Sequence, residues 1–170
     1  GLAWDTVPYI HDRYFEAWAT VSLLSGGMSS RLFTEVREKR GLVYSIYSFM
    51  SSYVDSGTFG IHAGTGPDQV KELIPVVAEE LHKIAHYVSE QEVSRAKAQL
   101  KAGLLMSLES TTSRMEQLGR QQMIFNRHIP SEETLQKIDE VDARVITKCA
   151  QRIIKNSILI LGAIGPLNSL

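Results

Sequence analysis

The sequence predicts an α+β domain, a mostly antiparallel sheet packed on helices, and three observations lead there. Short segments of period-two or continuously apolar character stand at the start, in the middle and at the end of the chain. Long segments of helical period gather in the second half instead of alternating with strands, which disfavours a doubly wound sheet. The length, 170 residues with 44% hydrophobic and 22% charged side chains, fits one ordinary domain with a sizeable core.

Leu2 to Val7 reads as a short strand closed by Pro8. Asp12 to Leu24 reads as a helix with Tyr14, Ala17, Trp18, Val21 and Leu24 on one face. Ser25-Gly26-Gly27 breaks it, as glycines in left-handed conformations end helices. Met28 to Arg37 restarts as a second helix, with Ser29 or Ser30 as the cap. Val43 to Ser51 is rich in aromatic and β-branched residues, Asp55-Ser56-Gly57 is a turn, and Thr58 to Thr65 places Phe59, Ile61 and Ala63 on one face. These form an antiparallel hairpin.

Gly66-Pro67 opens a helix whose stripe is Val70, Leu73, Ile74, Val77, Leu81, Ile84 and Val88, with a kink expected at Pro75. Ser89-Glu90-Gln91-Glu92 matches a capping box and starts a long helix towards Phe125, with a weak point at Ser110-Thr111-Thr112. Pro130 to Glu133 begins a short helical turn, and Asp139 to Ile154 is helical again. Ile158 to Ile164 closes the chain as a continuously apolar strand, which implies burial on both faces.

Composition removes several functions. With 18 basic against 19 acidic residues the chain lacks the basic surface of a nucleic-acid binder. One cysteine, Cys149, excludes an internal disulfide and the thiolate-rich zinc ribbons and fingers. No apolar run approaches the roughly 20 residues needed to span a bilayer, so no membrane is expected as a partner. The start at Gly1 and the missing signal-peptide pattern read as a fragment or processed piece of something longer.

The side chains with chemical potential are few. His82 and His86 share a helix face at zinc-site spacing, but Lys83 and Ala85 stand where a zincin needs glutamate, so they read as a chance surface pair. His11, His62 and His128 are isolated, with His62 expected partly buried on its strand. Cys149 sits among Ile146, Ala150 and Ile153 as a buried, inert thiol. Ser25 to Arg31 precedes a helix and offers backbone amides to an anion, yet it is neither a Walker loop nor a dinucleotide fingerprint. Arg37 and Tyr44 flank a helix-to-strand junction. A planar guanidinium and a phenolic donor suit the gripping of a carbonyl or developing oxyanion, although a solvated charged helix end explains the same residues.

One ordered stretch changes the weight of these signals. Leu24-Ser25-Gly26-Gly27-Met28-Ser29-Ser30-Arg31-Leu32-Phe33-Thr34-Glu35-Val36-Arg37-Glu38-Lys39-Arg40-Gly41-Leu42-Val43-Tyr44-Ser45 closely resembles the pitrilysin-type zinc peptidases, the inverzincin or M16 group that includes processing peptidases. The likeness continues through Asp55 to Phe59, Ala63 to Thr65, Ala96 to Lys101 and Glu109-Ser110. It implies a fold of the mitochondrial processing peptidase/LuxS-like metallohydrolase type, in domains that close on a chamber. The family's catalytic domain carries His-x-x-Glu-His, which binds zinc and activates water, and no such motif occurs here.

The resemblance therefore implies the second, non-catalytic domain. Residues 1–170 would form a single domain with the first strand or strands missing. Arg37 and Tyr44, at the family's seven-residue spacing, would bind substrate near the scissile bond, and Gly26 and Gly27 would belong to its glycine-rich segment. No residue of this chain is expected to be catalytic or to bind metal. Zinc would sit in a partner catalytic domain, supplied by an N-terminal domain or a companion subunit. The substrate would be a peptide or an unfolded segment. A cytoplasmic setting is expected, with periplasm, mitochondrion and a dimeric state left open. The alternative is a non-catalytic structural or assembly subunit of the same family, and a free-standing anion-binding module built on Gly26 and Gly27 is a third reading.

Overall fold

The structure is a computed structural model, and it describes residues 1–156 and 158–165. A four-stranded antiparallel sheet carries helices on one face. Its strands are β1 (Leu2–Thr6), β2 (Ser45–Ser52), β3 (Gly57–Gly64) and β4 (Ile160–Leu161), in the order β2-β3-β1-β4. The β2–β3 hairpin runs without a bulge from Ser45 opposite Gly64 to Ser52 opposite Gly57. Strict alternation then sorts the side chains. Ile46, Phe59, Ile61, Leu2 and Trp4 point into the core, where the rings of Trp4 and Phe59 stand 5.5 Å apart.

The central helix is α1 (Tyr14–Ser25). It meets β2 on one side and the helices α3 (Glu90–Ser107) and α6 (Ala143–Asn156) on others. Ala17, Ala19, Thr20, Ser22, Leu23 and Leu24 are all buried, so the expected single apolar face is instead burial almost all round. Small residues make this feasible because they let neighbouring backbones approach. Cys149 on α6 is buried against this helix, and burial pushes its thiol upward despite a bond with Thr20, as expected of an inert cysteine.

A ring of polar bonds joins α1 to the outer strand. The Ser48 N–H donates to the Ser25 Oγ at 2.5 Å, the two hydroxyls lie 2.7 Å apart, and Ser48 Oγ donates to the Val21 carbonyl at 2.9 Å. Cross-strand pairing joins the odd positions of β2 to β3, so the Ser48 amide belongs to the outward edge. The serine hydroxyl thus satisfies a group that would otherwise face outward unpaired.

The second-half helices are α2 (Val70–His86), α3, α4 (Thr111–Phe125), α5 (Ser131–Asp139) and α6. Helix α2 runs on through Pro75, which lies on its exposed side, where water can take the carbonyl left without a partner. The capping box at Ser89 forms as expected: its hydroxyl accepts from the Glu92 N–H and Glu92 accepts from the Ser89 N–H. The weak point near Ser110 is a full break, at which Ser110 caps α4 by accepting from the Ser113 N–H at 3.2 Å.

Two further expectations fail. The apolar run from Ile158 to Ile164 is not a strand buried on both faces. Only Ile160 and Leu161 pair, with Ala3 and Leu2 of β1, and Ile158 is 82% exposed. Continuous apolarity signals burial when strands flank both sides, whereas β4 stands last in the order. His62 is exposed rather than partly buried, because position 62 falls on the face of the sheet that carries no helix.

Candidate functional site

The segment after Gly27 is built to carry Arg37. Past Arg31 and Leu32 the helix widens into a π-helix over Phe33–Glu38, closed by a bond from the Lys39 N–H to the Thr34 carbonyl at 3.0 Å. Gly41 ends it at φ +61°, the left-handed stop that a side chain resists, with its N–H on the Arg37 carbonyl at 3.1 Å. Leu42 and Val43 then bury themselves, and Tyr44 donates its N–H to the Gly64 carbonyl at 2.8 Å to enter the sheet.

The charged residues of this helix end sort themselves. Lys39 pairs with Glu35 at 2.5 Å, and Arg40 lies 3.9 Å from Glu72 of α2. Arg37 has no carboxylate partner among the described residues, and its guanidinium carbon lies 4.7 Å from the centroid of the Phe33 ring. One guanidinium face therefore rests on an aromatic, and the five N–H donors remain available in the plane. Tyr44 is 78% exposed, and its hydroxyl has no hydrogen bond among the described residues. Both side chains stand open at one helix-to-strand junction, and no hydrogen bond joins them.

The Gly26-Gly27 loop has a different logic from the one its glycines suggest. Gly26 ends α1 at φ −70°, an ordinary conformation, so left-handed freedom is not the reason for it. A Cβ there would strike the Ser22 carbonyl oxygen and lie 2.7 Å from the Ser22 hydroxyl and 2.9 Å from Gln99 Oε1. At Gly27 the Gln99 amide nitrogen would be 3.2 Å away. These glycines let the loop lie against α3. The next turn is not capped by a serine accepting from its amides. Instead Ser30 donates its hydroxyl to the Gly27 carbonyl at 2.5 Å.

Arg31 anchors the base of this segment. Its Nε and Nη2 donate to the two carboxylate oxygens of Glu92 at 2.6 and 3.0 Å, and Nη2 also reaches the Tyr87 carbonyl at 2.9 Å. Burial alone would raise the Glu92 carboxyl. The bonds from Arg31 and Ser89 outweigh it and hold the group at about 2.

The open face of the sheet adds Tyr47, Phe49 and His62. Tyr47 stacks on its cross-strand neighbour His62 with centroids 5.1 Å apart, and Phe49 lies 6.2 Å from Tyr47. A Cβ on Gly60 would enter the Phe49 ring, so the aromatic covers that glycine. Period-two spacing of Tyr47 and Phe49 was visible in the sequence. Their meeting with His62 depends on the register that the Tyr53–Ser56 turn imposes.

His82 and His86 are both exposed, and His86 Nδ1 lies 2.7 Å from the His82 carbonyl. Among the described residues no group of three or more His, Cys, Asp or Glu side chains converges, so these residues do not fit a zinc ion. No helix among the described residues is long and apolar enough to cross a membrane.

Comparison with known proteins agrees with this architecture. Residues 1–100 match the family described as the Peptidase M16 inactive domain. An uncharacterized zinc protease of Rickettsia felis is 37% identical over 97% of the chain, and one of Bacillus subtilis is 35% identical over 84%. The chain spans about 40% of the Rickettsia protein's length and 35% of the Bacillus protein's. A Helicobacter pylori protease shares the fold at a TM-score of 0.80 and 20% identity, over 95% of this chain and 40% of that one. A chain of complex III2 from Candida albicans does so at 0.81 and 17%, over 93% and 40%. The matched residues are more than half of the chain, and the chain belongs to the M16 peptidase family, in its inactive-domain branch.

Proposed function

We propose that residues 1–170 are the substrate-binding C-terminal unit of a zinc metalloendopeptidase acting on peptides or unfolded segments. Zinc, its ligands and the general base come from a separate N-terminal domain or a companion subunit. The observation that carries this reading is the Arg37 guanidinium. Among the described residues it has no carboxylate partner, it is stacked on Phe33, and an exposed Tyr44 follows seven residues later at the entry to β2. A cation that neutralised a local carboxylate would have little left to offer a ligand. This one keeps its donors for a peptide carbonyl, whose oxygen gains negative charge as the amide carbon is attacked.

In this reading Arg37 and Tyr44 hold the peptide main chain next to the bond to be cut and stabilise that developing charge. Gly26 and Gly27 contribute main chain to the substrate-facing wall. Their lack of side chains lets the loop sit close to Gln99, so that the π-helix starts where Arg31 and Glu92 fix it. The names of the relatives, zinc proteases, support the peptide as the substrate class.

The test is kinetic and uses the whole polypeptide. Arg37→Ala and Tyr44→Phe should each lower kcat roughly 10- to 1,000-fold with smaller changes in KM, the range for losing one oxyanion donor. Unchanged kinetics in both variants would remove the assigned role, whereas no hydrolysis by the whole polypeptide with its companion subunit would favour the assembly-subunit alternative.

A further inference from the structure

A cavity of about 320 Å³ lies between residues 9–12, α1, α4 and α5. Five aromatic side chains wall it: Tyr9, Tyr14, Phe15, Trp18 and Phe125. Their rings brace one another, with centroids 4.7 Å apart for Tyr9 and Tyr14, 5.6 Å for Tyr9 and Phe125, and 6.1 Å for Tyr14 and Trp18. Rings held in contact cannot fold into the space, so the cavity stays open. An apolar cavity of about 150 Å³ takes up benzene, so this one has room for two fused rings.

Two polar groups open on it without a protein partner. Gln121 is 4% exposed, and its Oε1 accepts the Ile129 N–H at 3.0 Å, which fixes the end of the amide that is oxygen. Its Nε2 has no acceptor among the described residues. Protein atoms do not seal that nitrogen, so its two N–H donors face the cavity that Gln121 lines. The half-buried Tyr14 hydroxyl has no hydrogen bond among the described residues either. Burial pushes it upward, Tyr9 adds to this, and Arg120 opposes it more weakly, so it remains a donor. A buried donor left without a bond costs free energy that a bound acceptor returns. Charge narrows the choice further. At the rim Arg127 and Glu133 satisfy each other through bonds of 2.9 and 2.5 Å, and Lys137 pairs with Glu140. The exposed Asp12 repels an anion, and Arg120, which acts on both tyrosines, repels a cation.

We propose that this cavity is a binding site for a neutral, flat molecule of two fused rings that carries a carbonyl-type acceptor. The rings lie among the five aromatic side chains, and the acceptor takes hydrogen bonds from Gln121 and Tyr14. A molecule so held touches α1, α4 and α5 together and ties α4 to the body. Neither Arg37 nor Tyr44 lines the cavity, so the inference stands whether or not the assembled protein cleaves peptides.

Titration of the whole polypeptide with 1-methylquinolin-2-one tests it, since this probe is neutral and bicyclic and accepts hydrogen bonds without donating any. Fluorotryptophan in place of tryptophan supplies the readout. The fluorine signal of Trp18 should shift and saturate with a Kd of about 1 mM or tighter, while that of Trp4, buried in the sheet, stays put. Gln121→Glu keeps an oxygen for the Ile129 N–H but replaces the cavity's donor by an acceptor, and should weaken binding about 10-fold or more. Tyr14→Phe removes a hydroxyl that holds nothing in the fold, and should weaken binding about 3- to 10-fold. No saturable shift at Trp18 up to about 10 mM probe, well above the affinity expected for a molecule of this size, overturns the proposal. So does a shift at Trp4 alone, or an unchanged Kd in Gln121→Glu. If that variant does not fold, an unchanged Kd in Tyr14→Phe overturns it instead.

Discussion

At the scale of single residues, the molecule uses close approach more than backbone freedom. Gly26 adopts an ordinary φ, yet a methyl group there would meet Ser22 on its own helix and Gln99 on α3. Ser22 is buried, so it has little room to yield. Gly26→Ala should therefore destabilise the chain by about 1–3 kcal/mol, as overpacking does, and Gly27→Ala by less, since only the flexible Gln99 amide must move. Urea unfolding measures both, and equal midpoints for the two variants would contradict the steric account. The sequence announced these glycines as a break but not their purpose, because contact with Gln99 spans 73 positions and only the packed fold creates it.

At the scale of elements, one clamp ties the π-helix segment to α3. Glu92 closes the capping box and also receives both nitrogens of Arg31, so one carboxylate serves two elements. Its folded value of about 2 lies below the ordinary 4.5. A depressed carboxyl stabilises the fold at pH values above its unfolded value and loses that contribution as pH falls through the folded one. The clamp should thus weaken between about pH 4.5 and pH 2. For a partly solvated pair its worth is about 1–2 kcal/mol after allowing for screening. Glu92→Gln should be less stable at pH 7 and show a flatter stability profile over that window. A profile parallel to that of the parent would remove Glu92 from this role.

Local signals explain which elements were readable. The capping box, the hairpin turn and the α2 stripe are contiguous in sequence, and each appears where its residues predicted. The π-register of Phe33–Glu38 has no such local mark, since the same residues also suit an α-helix. The side of α4 that meets the body was equally hidden. Its apolar and polar residues were legible, but which side meets the body is decided by Gln121 and Phe125 across the fold. The fate of Ile158–Ile164 depended on the number of neighbouring strands, which composition does not encode.

At the scale of the whole molecule, the family was legible through one ordered motif. Arg37 and Tyr44 could be singled out by type and spacing, whereas the aromatic ladder of Tyr47, Phe49 and His62 required the sheet register. Among the described residues no metal cluster forms. The 170-residue chain should accordingly take up no stoichiometric zinc in equilibrium dialysis and hydrolyse no peptide on its own. Chelator-sensitive cleavage by the pure chain would overturn the division of labour proposed above.

The hydroxyl of Ser25 resting on the Ser48 amide has a consequence for behaviour in a crowded solution. Strand β2 is eight residues long and carries neither a charge nor a proline, the usual guards against strangers pairing with an outer strand. A single serine from α1 stands at its midpoint and closes it. Ser25→Ala would leave the chain folded but uncorked. The expected sign is faster fibril or precipitate growth near the melting temperature, followed by light scattering, with little change in the melting temperature itself. Unaltered scattering would mean that the helix alone shields the strand. One hydroxyl thus occupies the outward amide at the midpoint of β2.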